Sequence, residues 1–284
     1  MEKEFDNLRA LCESTGLLQG EQAEENSAHL QRLREKYQKH EKKAAIFAIS
    51  EFTNALAILK TVNALQEESR QKYFHLLIND TYQISFPKLI VALRKLNLFE
   101  EDNFQRNLDT LVEKEHARFQ TFCNQENKQH AVRAYSTAQA NNSIETLLYA
   151  CLTCTTWAEL FKEKKSAQKN FELIIKQEYT YMFSVLFALA ELSQITVLCD
   201  KYRDFIDEFP NKKSIFNVGI GLHTLAKNRQ DTKDNISFIT QYEGQHADYL
   251  AYGLKILREA DIDTAENRTF IAQDNGEYAS GRAK

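Results

Sequence analysis

Two short motifs pair a glutamate with a histidine three positions later, the spacing that places both side chains on one face of a helix. They are Glu113-Lys-Glu-His116 and Glu243-Gly-Gln-His246. Two such helices, with one glutamate from each of two others, form the di-iron site of ferritin-like bundles. Glu51 and Glu191 lie in apolar segments that would supply those glutamates. One hypothesis is therefore a ferritin-like di-metal carboxylate oxidase that uses Glu113, His116, Glu243 and His246.

Three features favour the opposite interpretation. The motifs begin 130 positions apart, which is long for a four-helix bundle of this class. They also fall at different places in the helical repeat that the chain contains, and glutamate and histidine are ordinary residues of exposed helix ends. We therefore predict no metal and no cofactor, and keep the metal oxidase as the alternative.

Other catalytic signatures are weaker. Cys151-Leu-Thr-Cys154 lacks a second pair of ligands for zinc and the surroundings of a thioredoxin motif, so we interpret it as small buried residues on a helix. No glycine lies between Gly20 and Gly219, which excludes a phosphate-binding loop, a dinucleotide fingerprint or a nucleophile elbow from that stretch. We predict no catalytic residue.

The elements that position these residues are predicted to be helices. Tight hairpins between strands need glycine and proline, yet the middle of the chain has no glycine and the whole chain has only Pro87 and Pro210. The composition therefore predicts an all-α fold.

Two C-terminal segments, 221–240 and 253–272, are copies of one template offset by 32 residues. The matched pairs are Leu222/Leu254, Leu225/Leu257, Thr232/Thr264, Asn235/Asn267, Phe238/Phe270 and Ile239/Ile271. Similar leucine spacing continues toward the N-terminus, and such a period is typical of stacked helix pairs. We predict a right-handed superhelical array of helix-pair repeats of about 33 residues, an α-solenoid with a tetratricopeptide-like shape.

No linker rich in glycine, serine or proline interrupts the pattern, so residues 1–284 are predicted to form a single elongated domain. The spacing leaves room for an inserted amphipathic helix near residues 26–43. A degenerate repeat is expected near residues 120–145.

The charge balance limits the partners. With 36 basic and 40 acidic residues, wholesale wrapping of nucleic acid is not expected. No apolar stretch follows Met1-Glu2-Lys3-Glu4, and the longest apolar run is too short for a membrane span, so we predict a cytoplasmic protein without a Sec signal. A third hypothesis, an adaptor for RNA or a membrane surface, would use the basic run from Lys36 to Lys43 and would require salt-sensitive binding.

The pattern L-x-x-L, a polar stretch and a late asparagine resembles the degenerate helical repeats of Legionella type IV-secreted effectors. Here it spans Leu93 to Phe104 and Leu257 to Asn267, and it departs from the family at Gln230, where an apolar residue is expected. The resemblance implies delivery into the host-cell cytosol without a Sec signal. It also implies that a small all-helical member without catalytic motifs is a metaeffector, a protein that binds and regulates another effector.

The leading hypothesis is a non-enzymatic scaffold that binds and regulates a protein partner, such as a bacterial effector. Aromatic side chains are abundant, and those in polar surroundings are candidate contact anchors. The predicted partner-binding residues are Tyr82, Tyr135, Tyr179, Tyr242 and Tyr249.

Overall fold

The computed structural model describes residues 2–38, 42–62, 64–65, 67–78, 86–125, 144–195 and 198–273. Within these ranges every regular element is a helix, which confirms the all-α prediction. The chain divides into two compact units, Met1–Leu152 and Thr153–Lys284. The single array over residues 1–284 stays a prediction, and most of the degenerate repeat near 120–145 lies outside the described residues.

The first unit is built from helix pairs. Its helices are α1 (Glu2–Ser14), α2 (Ala23–Gln38), α3 (Lys42–Thr61), α4 (Glu67–Ile78), α5 (Phe86–Lys95), α6 (Glu101–Gln125) and α7 (Ile144–Thr153). The first members of successive pairs pack on one another, α1 on α3 and α3 on α5. The segment predicted as an inserted helix near 26–43 contains most of α2 and the start of α3.

The second unit repeats this order. Its helices are α8 (Thr155–Ala158), α9 (Lys164–Ile175), α10 (Tyr179–Ser193), α11 (Leu198–Glu208), α12 (Ile215–Lys227), α13 (Lys233–Ile239), α14 (Ala247–Glu259) and α15 (Ala265–Gln273), with 3-10 turns at Glu159–Phe161 and Tyr242–Gly244. Again the first helices are neighbours, α10 against α12 and α12 against α14. All four leucines of the duplicated template are buried here.

Helix α3 is the most apolar long helix of the first unit. Its residues 43–61 are long and apolar enough to cross a membrane by length and composition alone, the one such helix in the described part of the chain. The same apolarity is needed in a core, because α3 packs against both α1 and α5 and buries Ile49, Phe52 and Leu56.

Four helices that are the first members of their pairs end in the same way. A residue with positive φ follows each of α1, α5, α12 and α14: Gly16, Asn97, Arg229 and Asp261. The next residue then returns its backbone N–H to a carbonyl five positions earlier, as in Gln230 to Leu225 at 2.8 Å and Ile262 to Leu257 at 2.9 Å. This hydrogen bond satisfies a carbonyl that the helix end would otherwise leave unpaired. At Gly16, with φ of 74°, this left-handed conformation falls on the residue type that adopts it most readily.

The polar positions of the duplicated template hold the turn that follows. Thr232 and Thr264 cap the next helix, each side-chain oxygen accepting from the backbone N–H of Asn235 or Asn267. Those asparagines then donate their side-chain amides backward to the carbonyls of Gln230 and Ile262, both at 2.7 Å. We call this hydrogen bond, from an asparagine side-chain amide back to a carbonyl of the preceding turn, the asparagine clamp. Asn26 makes the same clamp to Leu17, Asn107 to Leu98 and Asn170 to Leu160.

A lysine-tyrosine dipeptide links neighbouring pairs in both units. In α11, Lys201 and the Tyr202 hydroxyl both donate to Asp231, and the Lys201 ammonium lies 4.7 Å from the Tyr202 ring centroid. The contact with Lys201 holds the pKa of Asp231 below its usual value, while burial raises the pKa of Tyr202. Lys72 and Tyr73 in α4 contact Asp109 in the same way.

Gln230 occupies a position that is apolar in the other three turns, which carry Leu17, Leu98 and Ile262. The Gln230 side chain is 3% exposed, and its amide N–H donates to the carbonyl of Leu254 at 3.2 Å. Its side-chain oxygen is buried and meets no donor in the described part of the chain. A buried acceptor without a donor costs about 1–3 kcal/mol, more than one neutral hydrogen bond returns.

We therefore expect Gln230→Leu to stabilise the protein by about 1 kcal/mol. The measurement is the midpoint of urea unfolding, with Leu98→Gln as the reverse change at the equivalent buried turn, which should lower stability. A loss of stability in Gln230→Leu would show that the oxygen has a donor.

Candidate protein-binding face

Three aromatic rings from three successive first helices form a ladder on the surface of the second unit. Trp157 of α8 meets Phe187 of α10 edge to face, with ring centroids 4.8 Å apart, and Phe187 meets Phe216 of α12 at 5.4 Å. Although they touch one another, Phe187 and Phe216 remain 38% and 37% exposed. We call these three residues the aromatic ladder.

Close packing of the helices brings these rings together. Gly219 of α12 faces Ala188 of α10 so closely that a Cβ added at Gly219 would lie 2.6 Å from the Ala188 Cα. The other side of each helix enters the core, through Leu186 and Leu189 in α10 and Leu222 in α12. The aromatic rings are therefore held on the solvent side of helices whose positions are fixed by the core.

The same face continues onto α14. Phe187, Ile220 and Tyr252 are separated by 33 and 32 residues, the same steps that separate the buried leucines of this repeat. Tyr252 is exposed, and Lys255 places its ammonium 5.4 Å from the Tyr252 ring centroid. Tyr249, one turn earlier, is also exposed. Apolar and aromatic side chains thus occupy equivalent positions on three neighbouring helices.

Polar groups border the ladder. His223 of α12 contacts Glu191 of α10 with 3.3 Å between Nδ1 and Oε2, and Gln194 donates to the same oxygen at 2.9 Å. This contact lies one turn beyond Phe187 along α10. An apolar centre with a polar border is the usual composition of a protein–protein interface.

A carboxylate lies at the start of α14, in register with Phe216 by the 32-residue step. Burial raises the pKa of Asp248, while the backbone amides of Tyr249 and of Asp248 itself lower it. One of its oxygens, Oδ1, is buried and meets no donor in the residues that the structure describes. Asp248 is therefore partly buried at the start of α14, with Oδ1 out of reach of a partner among those residues.

The predicted tyrosines coincide with this face only in part. Tyr249 lies on it, whereas Tyr179 is half-buried at the start of α10. Tyr242 lies in a 3-10 turn and its side chain is outside the described residues, as are Tyr82 and Tyr135 entirely. Sequence reasoning missed Trp157, Phe187 and Phe216 because it searched for aromatics in polar surroundings. The feature of the sequence that could have identified them is an aromatic residue at a helix position different from those of the buried leucines.

The second E-x-x-H motif lacks the helix that its chemistry requires. Glu243 has φ of 57°, in the left-handed region, and His246 precedes the first residue of α14. The expectation that these two side chains share one helix face is therefore wrong. Glu113 is exposed in α6, the side chain of His116 is outside the described residues, and Glu191 contacts His223.

The interpretation of Cys151 and Cys154 as small buried residues on a helix is confirmed for Cys151 and wrong for Cys154. Cys151 is buried in α7, whereas Cys154 is half-buried just after this helix. Among the described cysteines, Cys12, Cys151, Cys154 and Cys199, none is in a disulfide.

Comparison with known proteins adds no relative from which a site could be transferred. No protein-family model, curated protein or solved structure matches this chain. The resemblance to secreted effectors stays a prediction, and the candidate face rests on its own geometry.

Proposed function

We propose that this protein is a non-enzymatic scaffold that binds a protein partner through the aromatic ladder and its continuation on α14. The observation that carries the proposal is the ladder itself: three aromatic rings in contact with one another on the solvent side of a well-packed helix layer. Large aromatic side chains clustered on a rigid surface are the residues that contribute most to protein–protein affinity.

The spacing of the rings suits an amphipathic helix of the partner. The two centroid distances of 4.8 and 5.4 Å separate the outer rings by at most about 10 Å. That distance is close to the rise of two helical turns, about 11 Å, so apolar residues at i, i+3 and i+7 of a partner helix would contact successive rings. A lysine or arginine beside them would meet Glu191, whose side chain is partly exposed.

The arrangement of helices supports the array on which the proposal depends. In each unit the first helices of successive pairs are neighbours, and the same turn and asparagine clamp recur between the members of a pair. We infer that these pairs are repeats of one superhelical, tetratricopeptide-like array. Such repeats present one helix face of every pair along a common surface.

The resemblance to effector repeats makes a second bacterial effector the partner class to test first. In this function the protein would regulate that effector by occupying a surface on it. No catalytic group is needed for this role.

The test places a photo-crosslinking amino acid at Phe216 and, in a separate preparation, at Phe47. Phe47 in α3 is the control because it is 61% exposed and lies outside the ladder. We expect crosslinking from position 216 to capture one specific protein from a lysate containing bacterial effectors, and crosslinking from position 47 to capture none.

Affinity for the captured protein is then measured for Phe187→Ala/Phe216→Ala and for Phe47→Ala. Loss of two central aromatic anchors should weaken binding by about a hundredfold or more, whereas Phe47→Ala should bind as the unaltered protein does. Because both ladder side chains are partly exposed, the double variant should keep its circular dichroism spectrum. Equal affinity of the two variants would refute the proposed face.

A further inference from the structure

In the first unit, α2 and α4 bring three potential metal ligands together. Glu25 and His29 are one turn apart in α2, and His75 lies in α4; one ligand atom from each lies within 4.8 Å of the others. The Glu25 Oε1 and His29 Nε2 atoms are 3.6 Å apart, and the two imidazole rings meet edge to face with centroids 5.4 Å apart. In a tetrahedral zinc site the ligand atoms are about 3.3 Å apart, so small side-chain rotations would complete the geometry.

A buried amide pair fixes the two helices at this point. Asn26, beside Glu25, is 1% exposed and exchanges two hydrogen bonds with Gln71, at 2.9 and 2.8 Å. The Asn26 amide also donates to the carbonyl of Leu17 at 2.7 Å, which determines its orientation and therefore that of Gln71. The ligand cluster is thus built on a joint whose geometry is set by the protein.

The same pair determines which nitrogen of His75 carries a lone pair. Since the Gln71 oxygen accepts from Asn26, the atom that faces His75 is the Gln71 nitrogen, 2.6 Å from Nε2. An amide N–H can only donate, so Nε2 of His75 is an acceptor. A metal ion bound at Nε2 would lie where the Gln71 nitrogen now is, so the Gln71 amide would have to turn away from His75 when the metal binds.

His29 has a competing cation beside it. The Arg32 guanidinium approaches Nδ1 of His29 at 3.2 Å, and Arg32 is exposed. Because guanidinium only donates, Nδ1 accepts and the proton of the neutral ring lies on Nε2. Metal binding at Nε2 requires the proton to move to Nδ1 and Arg32 to rotate into solvent.

We propose that Glu25, His29 and His75 bind a divalent transition-metal ion of the zinc class, which joins α2 to α4. Two imidazoles and a carboxylate are the ligands that zinc and cobalt prefer, and water would fill the fourth position. The proposal is independent of the aromatic ladder, which lies in the second unit.

The experiment titrates Co²⁺ into tag-free, metal-stripped full-length protein and follows its visible absorption, with Zn²⁺ binding measured by equilibrium dialysis. We expect the absorption of four-coordinate Co²⁺ to saturate at one equivalent. The near-ultraviolet charge-transfer band of thiolate ligation should be missing, which separates this site from the cysteines.

Four variants make the result specific. His29→Ala and His75→Ala should weaken metal binding by more than about a hundredfold. Loss of a residue that only orients a metal ligand would weaken it by about a hundredfold at most. Glu25→Gln should weaken it by at least about tenfold, and Arg32→Ala should tighten it severalfold because a competing positive charge is removed. The last two changes are at exposed positions, so they report on binding even if a histidine variant fails to fold.

His223→Gln, in the second unit, is the matched control and should bind like the unaltered protein. No cobalt spectrum together with no zinc retained at micromolar concentrations would overturn the proposal. So would a spectrum that survives Glu25→Gln and both histidine changes.

Discussion

Replacing Gly219 with valine should destabilise the second unit by about 3 kcal/mol or more. A Cβ at this position would lie 2.6 Å from the Ala188 Cα and 2.7 Å from its Cβ, so α10 and α12 would have to separate. Two residues on, a Cβ at Gly221 would lie 2.7 Å from the Ala247 carbonyl oxygen at the start of α14. Because α12 is held closely on both sides, it has no direction in which to relieve the strain.

The chain has one tryptophan, Trp157, and it contacts Phe187 on α10. Its fluorescence during urea unfolding therefore reports on the unit that contains Gly219. Ile220→Val is the control, since it removes one methyl group from a half-buried position on the same helix and should cost about 1 kcal/mol. A Gly219→Val protein that unfolds at the unaltered midpoint would contradict the close helix packing.

Asn170→Ala should cost about 3 kcal/mol, although it removes only a small side chain. Asn170 is 1% exposed, donates to the carbonyl of Leu160 at 2.9 Å and accepts from Nε of Arg203 at 3.0 Å. Arg203 is itself buried, and Asp200 contacts its other end at 2.6 Å. Without Asn170, Nε of the buried Arg203 and the carbonyl of Leu160 both lose this hydrogen-bond partner.

Asn267→Ala is the matched control because Asn267 makes the same clamp, to Ile262 at 2.7 Å, in an exposed turn. Water can replace that hydrogen bond, so we expect a loss below about 1 kcal/mol. Urea unfolding followed by circular dichroism compares the two variants. Equal losses would show that water also reaches the Asn170 site.

Much of the local structure followed from residue types. The threonines and asparagines at 232, 235, 264 and 267 were matched between two sequence segments, and each pair makes the same cap and the same clamp. The scarcity of glycine and proline predicted helices correctly. Both properties depend on residues near one another in the chain, where spacing determines which groups can meet.

The candidate sites were harder to predict because each combines side chains from separate helices. The ladder joins α8, α10 and α12, and the metal ligands join α2 and α4. The E-x-x-H motif at Glu243 shows the reverse error: its spacing implied a helix, but a left-handed residue interrupts the backbone there. A spacing rule holds only where the chain is helical, and turn geometry decides where helices end.

By itself, the sequence determined that the described segments are helical and that residues 221–240 and 253–272 share one local structure, because both properties depend on composition, short-range spacing and capping. Only the tertiary structure decided that Phe187 and Phe216 meet at the surface, each partly exposed, while Leu189 and Leu222 enter the core. It also decided that His29 faces His75 across two helices. These outcomes depend on how closely neighbouring helices approach, which is set by contacts such as Gly219 against Ala188 that link residues about 30 positions apart.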